Sequence, residues 1–315
     1  LVPAPFRFGP RPAPSGYMLD ESFYRLAQRR GPVVRLGLKA IEHPVGMARL
    51  ALRRADVLHV QWLGAPEVDA VLLRSRAPLV LTAHDLVPRR TAHRVGLWRR
   101  LFARFDRIVV HSHRGRERLE RFGVPDDRLR VVPHPVFRSD PPRRDDGRTV
   151  LALGVIRPYK GLPDAVAAVT RVEGARLLVA GDARIPLDDL DAPGVEWRLG
   201  YLGATELDRA LSEATIAVFP YRDELDQSGA LLQALGAGVP AVVYDVGGLG
   251  EVVARFQAGR VVEAGNVDAL EEAVRELLGD DGLLERARAG AERARAELTW
   301  EASAAAHLAL YEELR

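Results

Sequence analysis

Residues 220–253 read PYRDELDQSGALLQALGAGVPAVVYDVGGLGEVV, and their punctuation decides the fold. The apolar run Thr215 to Phe219 just before them predicts a strand. Ser228-Gly229 opens a helix through Ala230, Leu231, Leu232, Ala234 and Leu235, which Gly236 and Gly238 stop. Pro240 to Tyr244 is apolar nearly throughout, the mark of a strand buried on both faces in a parallel sheet. Asp245-Val246-Gly247-Gly248 follows it as a glycine loop. Open α/β sheets bind ligands at the carboxyl ends of their strands, and glycines there expose backbone N–H groups beside a helix N-terminus that favours anions.

Composition sets the outer bounds. A chain of 315 residues is long enough for two domains, each with a sizeable core. No run reaches the roughly 18 to 20 apolar residues of a membrane span. The first thirty residues are rich in Pro and Arg and lack an apolar h-region, so no signal peptide is expected. Zero cysteines exclude disulfides and thiolate metal sites and fit a cytoplasmic protein. The net charge of +2 hides a split: through Arg148 there are 29 Lys and Arg against 15 Asp and Glu, and beyond it 16 against 28. A basic first half and an acidic second half suggest two bodies with different partners.

From the N-terminus, the chain predicts an apolar strand over Leu1 to Phe6, a Pro/Gly loop to Gly16 and a helix over Asp20 to Arg29. Then come a strand over Val33 to Leu38, a basic helix near Met47 to Arg54, a strand over Val57 to Val60, a helix after Pro66 and a strand over Leu79 to Thr82. This alternation implies βαβ units and a parallel sheet. His84 follows the last of these strands, placed either to hydrogen-bond a sugar hydroxyl or stabilise developing charge, or merely to cap the strand end. Between Arg89 and Arg121 stand eleven Arg and three acids. Trp98, Leu101, Phe102 and Phe105 recur there at helical spacing with Arg94, Arg99, Arg100 and Arg104 between them. Two readings fit: an amphipathic helix on an anionic membrane surface, or a helix packed on its own sheet with a solvated basic face. A strand over Arg107 to Val110, a helix ending at Phe122-Gly123 and a short strand at Val131-Val132 complete this half.

Arg138 to Arg148 reads as a linker. Beyond it a buried strand, Val150 to Leu153, runs into Gly154-Val155-Ile156-Arg157-Pro158-Tyr159-Lys160-Gly161-Leu162. A glycine at the strand end and two cations three residues apart make a clamp for a diphosphate: Arg binds phosphate oxygens through its planar fork, and Lys supplies a point charge. With no Gly-Lys-Ser/Thr and no G-x-G-x-x-G spacing, it is neither a P-loop nor a dinucleotide fingerprint. Further strands are expected at Leu177 to Ala180 and Trp197 to Leu202.

These residues in their order resemble the glycosyltransferases of the GT-B fold in the retaining family 4, or glycosyl transferases group 1. The resemblance rests on Thr82 to Asp85, the run from His111-Ser112 through Phe122 to Pro125 and Val131 to Pro135, Gly154 to Leu162, Val195 to Leu202, and the opening stretch. It implies an α/β protein of two Rossmann-like domains whose parallel sheets face a central cleft. The first domain (1–142) would bind the acceptor and the second (148–299) the nucleotide-sugar, with a helix over 300–315 crossing back. Among site residues it implies Arg157 and Lys160 on the diphosphate and His84 by the transferred sugar. Gly154, Gln227, Ser228, Gly229, Gly247, Gly248 and Glu251 would line the donor.

The activity implied is that of a hexosyltransferase for polysaccharide biosynthesis, moving a sugar from a nucleotide-diphosphate sugar to a sugar or lipid-linked acceptor with retention. No cofactor beyond the donor, no metal and no nucleic acid are expected. The sole D-x-D, Asp189-Leu190-Asp191, lies in a polar loop, and the clamp cations can meet the leaving charge. A lipid-linked acceptor would place the protein in the cytoplasm, peripherally at the membrane. The chain departs from the family pattern in two respects: Val155 stands where many relatives carry Arg, and Leu225 and Gln233 replace the paired glutamates. A nucleotide-sugar epimerase, or a relative that binds nucleotide-sugar without turnover, is the alternative.

Overall fold

The computed structural model describes residues 16–18, 23–24, 26–27, 30–223 and 225–315. The expected N-terminal strand and loop and most of the helix over 20–29 lie outside them. Helix α1 (Pro32–Ala51) comes first and overturns the strand expected over Val33 to Leu38. Pro32 sits in its first turn, where a missing N–H costs nothing, and Val34, Ile41 and Val45 continue at helical spacing, which outweighs the local β-branched pair. Then come β1 (Leu58–Val60), α2 (Pro66–Leu72), β2 (Leu79–Thr82), α3 (Val95–Phe102), β3 (Arg107–Val110), α4 (His113–Arg121) and β4 (Leu129–Val131). The four strands pair in chain order, all parallel.

Trp98, Leu101, Phe102 and Phe105 are buried in the core beneath this sheet. Of the two readings of the basic helix, the membrane-facing one is therefore overturned. The apolar stripe is a core face, and its cations are partly spoken for: Arg104 Nε donates to the Ala70 carbonyl at 2.8 Å and Arg99 Nε to that of Phe122 at 3.1 Å.

The second unit comprises β5 (Thr149–Leu153), α5 (Leu162–Val169), β6 (Arg176–Gly181), β7 (Val195–Leu199), α6 (Ala204–Glu213), β8 (Ile216–Phe219), α7 (Gly229–Gly236), β9 (Ala241–Tyr244), α8 (Gly247–Phe256), β10 (Gly259–Val262), α9 (Val267–Gly279) and α10 (Asp281–Glu297). Its six strands run in the order β10-β9-β8-β5-β6-β7, again all parallel. The order reverses beside β5, so a crevice opens at its carboxyl end, where such sheets take ligands. Helix α11 (Trp300–Glu312) then returns to the first sheet. Leu310 packs on Val80, Val109 and Val132, and Glu313 pairs with Arg130 at 2.7 Å. Among the described residues no helix is long and apolar enough to cross a membrane.

Candidate functional site

At the carboxyl end of β5 the chain turns on Gly154 (φ +103°), where a Cβ would stand 3.1 Å from Lys160 Nζ and 3.3 Å from the Ala230 Cβ. The ammonium thus lies against bare backbone at the crevice. Lys160 ends a short 3-10 turn, and Gly161 leaves it in the left-handed conformation (φ +66°). A Cβ on Gly161 would come within 1.9 Å of the Pro220 carbonyl oxygen, so only glycine lets this loop lie on the one after β8. Lys160 Nζ sits 4.9 Å from the centre of the Tyr221 ring. Burial, with the Arg157 charge second, lowers its pKa to about 8. Arg157 itself is exposed.

The loop after β8 carries the other residues expected at the donor. Ser228 caps α7, accepting from Leu231 N at 3.4 Å and meeting the Tyr221 hydroxyl at 3.0 Å. Gln227 Oε1 is buried without a hydrogen-bond partner among the described residues. A buried unpaired carbonyl is costly, and this one fits a site that a ligand completes. A Cβ on Gly229 would stand 3.9 Å from the Phe137 ring. That ring lies 5.6 Å from the ring of His134, which in turn lies 6.1 Å from that of His84. A chain of ring contacts thus links the Gln227–Gly229 loop to His84.

His84 is half-buried at the end of β2, its ring stacked 4.8 Å from that of exposed Trp62. Both its ring nitrogens are engaged: Nε2 lies 2.9 Å from the Gln61 side-chain amide, and Nδ1 lies 3.1 Å from His111 Nε2. Burial lowers the pKa of His84 to about 4 and that of His111 to about 3, with the neighbouring histidines adding to the effect.

The two units meet through three carboxylates. Asp226 is buried; it accepts from His111 N at 2.5 Å and from the Ser112 hydroxyl. Its burial raises its pKa to about 6 against those bonds. Glu251 accepts from His113 N (3.0 Å) and Arg114 N (3.2 Å) in the first turn of α4, where the helix dipole favours an anion. Asp245 pairs with Arg114 at 2.6 Å.

Gly247 and Gly248 form the first turn of α8 rather than a loop. Their missing side chains make room for the carbonyls of Leu225 and Asp226, each 1.9 Å from where a Cβ would stand, and Gly248 N donates to Leu225 O at 3.0 Å. These glycines serve chain packing here, and the N–H of Gly248 is spent within the protein.

Sequence reasoning missed Asp226 as a contact between the units, and it missed His111, His134, Gln61 and Trp62 around His84. Each of the last four follows a strand of the first sheet by one to three positions, and that was their signal.

Residues 6–138 match the family model described as Glycosyltransferase Family 4, and residues 147–280 match that described as Glycosyl transferases group 1. The glycogen synthase of Mycobacterium tuberculosis is 29% identical over 289 residues, covering 82% of this chain and 69% of that protein. The GDP-mannose-dependent alpha-(1-6)-phosphatidylinositol monomannoside mannosyltransferase of the same organism is 27% identical over 316 residues, 85% of this chain and 82% of the relative. Among solved structures, sucrose-phosphate synthase from Thermosynechococcus elongatus superposes with a TM-score of 0.72 at 20% identity, over 90% of this chain and 80% of its own. Two parallel sheets and a last helix that crosses back to the first give the chain the GT-B fold. With a model of the same family on each of the two units, the chain belongs to glycosyltransferase family 4, the glycosyl transferases group 1.

Proposed function

We propose that this enzyme transfers a hexose from a nucleotide-diphosphate sugar to a sugar or lipid-linked sugar, with retention of configuration and without a metal ion. The observation that carries the proposal is the half-sunk ammonium of Lys160 beside bare Gly154 at the reversal of the second sheet. As the glycosidic bond breaks through an oxocarbenium-like state, the diphosphate gains charge that Lys160, Arg157 and the N-terminus of α7 would stabilise. Gln227, Ser228 and Gly229 would meet the donor's sugar or phosphates. His84 would sit by the transferred hexose, with the acceptor on the first sheet's side. Glu251, now on the first turn of α4, would turn to the nucleotide's ribose when donor enters. Retention without a carboxylate nucleophile implies attack by the acceptor on the face the diphosphate leaves.

A lipid-linked acceptor, and with it a peripheral place at the cytoplasmic face of a membrane, draws support from α1. Val34, Ile41, Val45 and Leu52 form one exposed stripe along that helix and its last turn. Arg35, Lys39, Arg49 and Arg53 stand among them in the sequence, the residue pattern of a helix that rests on an anionic surface.

Incubation with a panel of nucleotide-sugars, read as protection against thermal unfolding, tests donor binding. Nucleotide release that depends on an added acceptor then separates transfer from passive binding. A chain that no nucleotide-sugar protects would refute the proposal.

A further inference from the structure

Gln61, His84 and His111 form a hydrogen-bonded row across the ends of β1, β2 and β3. A neutral imidazole has one N–H and one lone pair, so each contact in the row dictates the next. At the inner end, His111 Nδ1 lies 2.9 Å from the Val132 carbonyl oxygen, which can only accept. Nδ1 therefore carries the proton, and Nε2 of a neutral His111 is bare. That nitrogen is 3.1 Å from His84 Nδ1, which must then donate. A neutral His84 is thus the Nδ1–H tautomer with its lone pair on Nε2.

The outer end agrees. With the Gln61 amide turned end for end, which displaces no heavy atom, its NH2 meets His84 Nε2 and its oxygen faces His59 Nε2, across the 2.9 and 3.2 Å separations at its two ends. His59 Nε2–H then donates to that oxygen and to Thr82 Oγ1 at 2.8 Å, and His59 Nδ1 accepts from the Tyr311 hydroxyl of α11 at 2.6 Å. Every ring N–H then finds an acceptor with no ring charged. Among the described residues, titratable groups beside the row include His59, His134, His307, Tyr311 and, at the His111 backbone, Asp226, and burial lowers the pKa of His59 and His134 as it does those of His84 and His111.

We infer that His111 is a positioning residue that holds His84 in the Nδ1–H tautomer, so that His84 Nε2 offers a lone pair to a hydroxyl of the transferred sugar at the point now met by Gln61. The inference rests on the proposed place of His84 beside that sugar. Its content is directional: a lone pair at Nε2 orders a hydroxyl as donor and hands no proton to the leaving diphosphate, whereas an Nε2–H would do the reverse.

The test uses the full chain labelled with 15N-histidine, whose two-bond 1H–15N correlations report each ring's tautomer without substrate. His84 is expected as Nδ1–H in the wild type and in His111→Gln, whose side-chain oxygen reaches the place of His111 Nε2, and as Nε2–H in His111→Leu. Turnover should fall about tenfold or more in His111→Leu with donor KM within about twofold, and return toward wild type in His111→Gln. An Nε2–H His84 in the wild type overturns the inference, and so does a His111→Leu enzyme of unchanged turnover. Should His111→Leu fail to fold, the wild-type spectrum and His111→Gln decide alone. If no donor in the panel supports transfer, the proposed function falls while the tautomer spectra still decide the role of His111.

Discussion

Replacing Lys160 by Met removes the charge at the reversal of the second sheet while keeping the length and apolar stem of the side chain. The ammonium stands at the bare backbone of Gly154 and over the Tyr221 ring, on the crevice side of β5. If it meets a diphosphate oxygen that gains charge as the sugar leaves, losing that contact should cost roughly 2 to 4 kcal/mol in the transition state. That corresponds to a fall in kcat/KM of about 30- to 900-fold. The fold should tolerate the change, because the lost cation–ring contact, about 0.5 to 2 kcal/mol, is offset by no longer burying a charge. A pH series sharpens the test. Burial holds the Lys160 pKa at about 8, below the roughly 10.4 of an exposed lysine. The charge is therefore present in the free enzyme below about pH 8 and lost above it, and this group's share of stability rises as the pH climbs from about 8 to 10. Donor affinity needs the charge, so it should weaken above about pH 8 in the wild type and stay flat in Lys160→Met. Steady-state release of nucleotide, with donor affinity from thermal shifts across pH 6.5 to 9.5, measures both (an assay range of roughly three units around the shifted value). A Lys160→Met enzyme within threefold of wild-type kcat/KM (about 0.7 kcal/mol), or with the same pH dependence of donor affinity, would refute the clamp.

Gly161→Ala should lose about 1 to 3 kcal/mol in urea unfolding from the left-handed backbone alone, and more from the 1.9 Å approach to the Pro220 carbonyl; an unchanged midpoint would contradict that packing. Asp226→Asn tests the carboxylate between the units. Its folded pKa, raised to about 6 from 3.8, means the wild type loses stability through this group as the pH rises from about 4 to 6, so the uncharged variant should gain on the wild type over that window. A melting-temperature difference that is flat with pH would show that the proton is not released there. Val34, Ile41 and Val45 together changed to Ser should abolish sedimentation with anionic vesicles at low salt, each nearby cation adding on the order of 1 kcal/mol. Equal sedimentation of variant and wild type would free α1 from that role.

The second sheet was largely legible because each of its central strands is buried on both faces, so apolar runs of four or five residues mark β5, β6, β8 and β9 without rival readings. The turn from Gly154 to Gly161 was legible for a related reason, since glycine at both ends of the loop suits a tight turn. Helix α1 was not. Its exposed stripe of Val34, Ile41 and Val45 breaks the rule that apolar residues face inward, and only tertiary context decides between strand and helix for a short β-branched run. The stripe on α3 left two readings open for a different reason: burial and membrane contact ask for the same amphipathic pattern, and Trp98 lies 2% exposed because a sheet happens to be there.

The histidine row was hidden for a deeper reason. Parallel strands in register end along a common edge, so residues one to three places past Val60, Thr82, Val110 and Val131 become neighbours although they are tens of positions apart. Position past a strand end could have gathered Gln61, His84, His111 and His134 into one group. It could not have said what they do, because the proton on His84 is set by a carbonyl two residues away in space, Val132 acting through His111. A tautomer belongs to the whole chain of contacts, so a residue's type and place fix its reach while its chemistry waits on the partners the fold supplies.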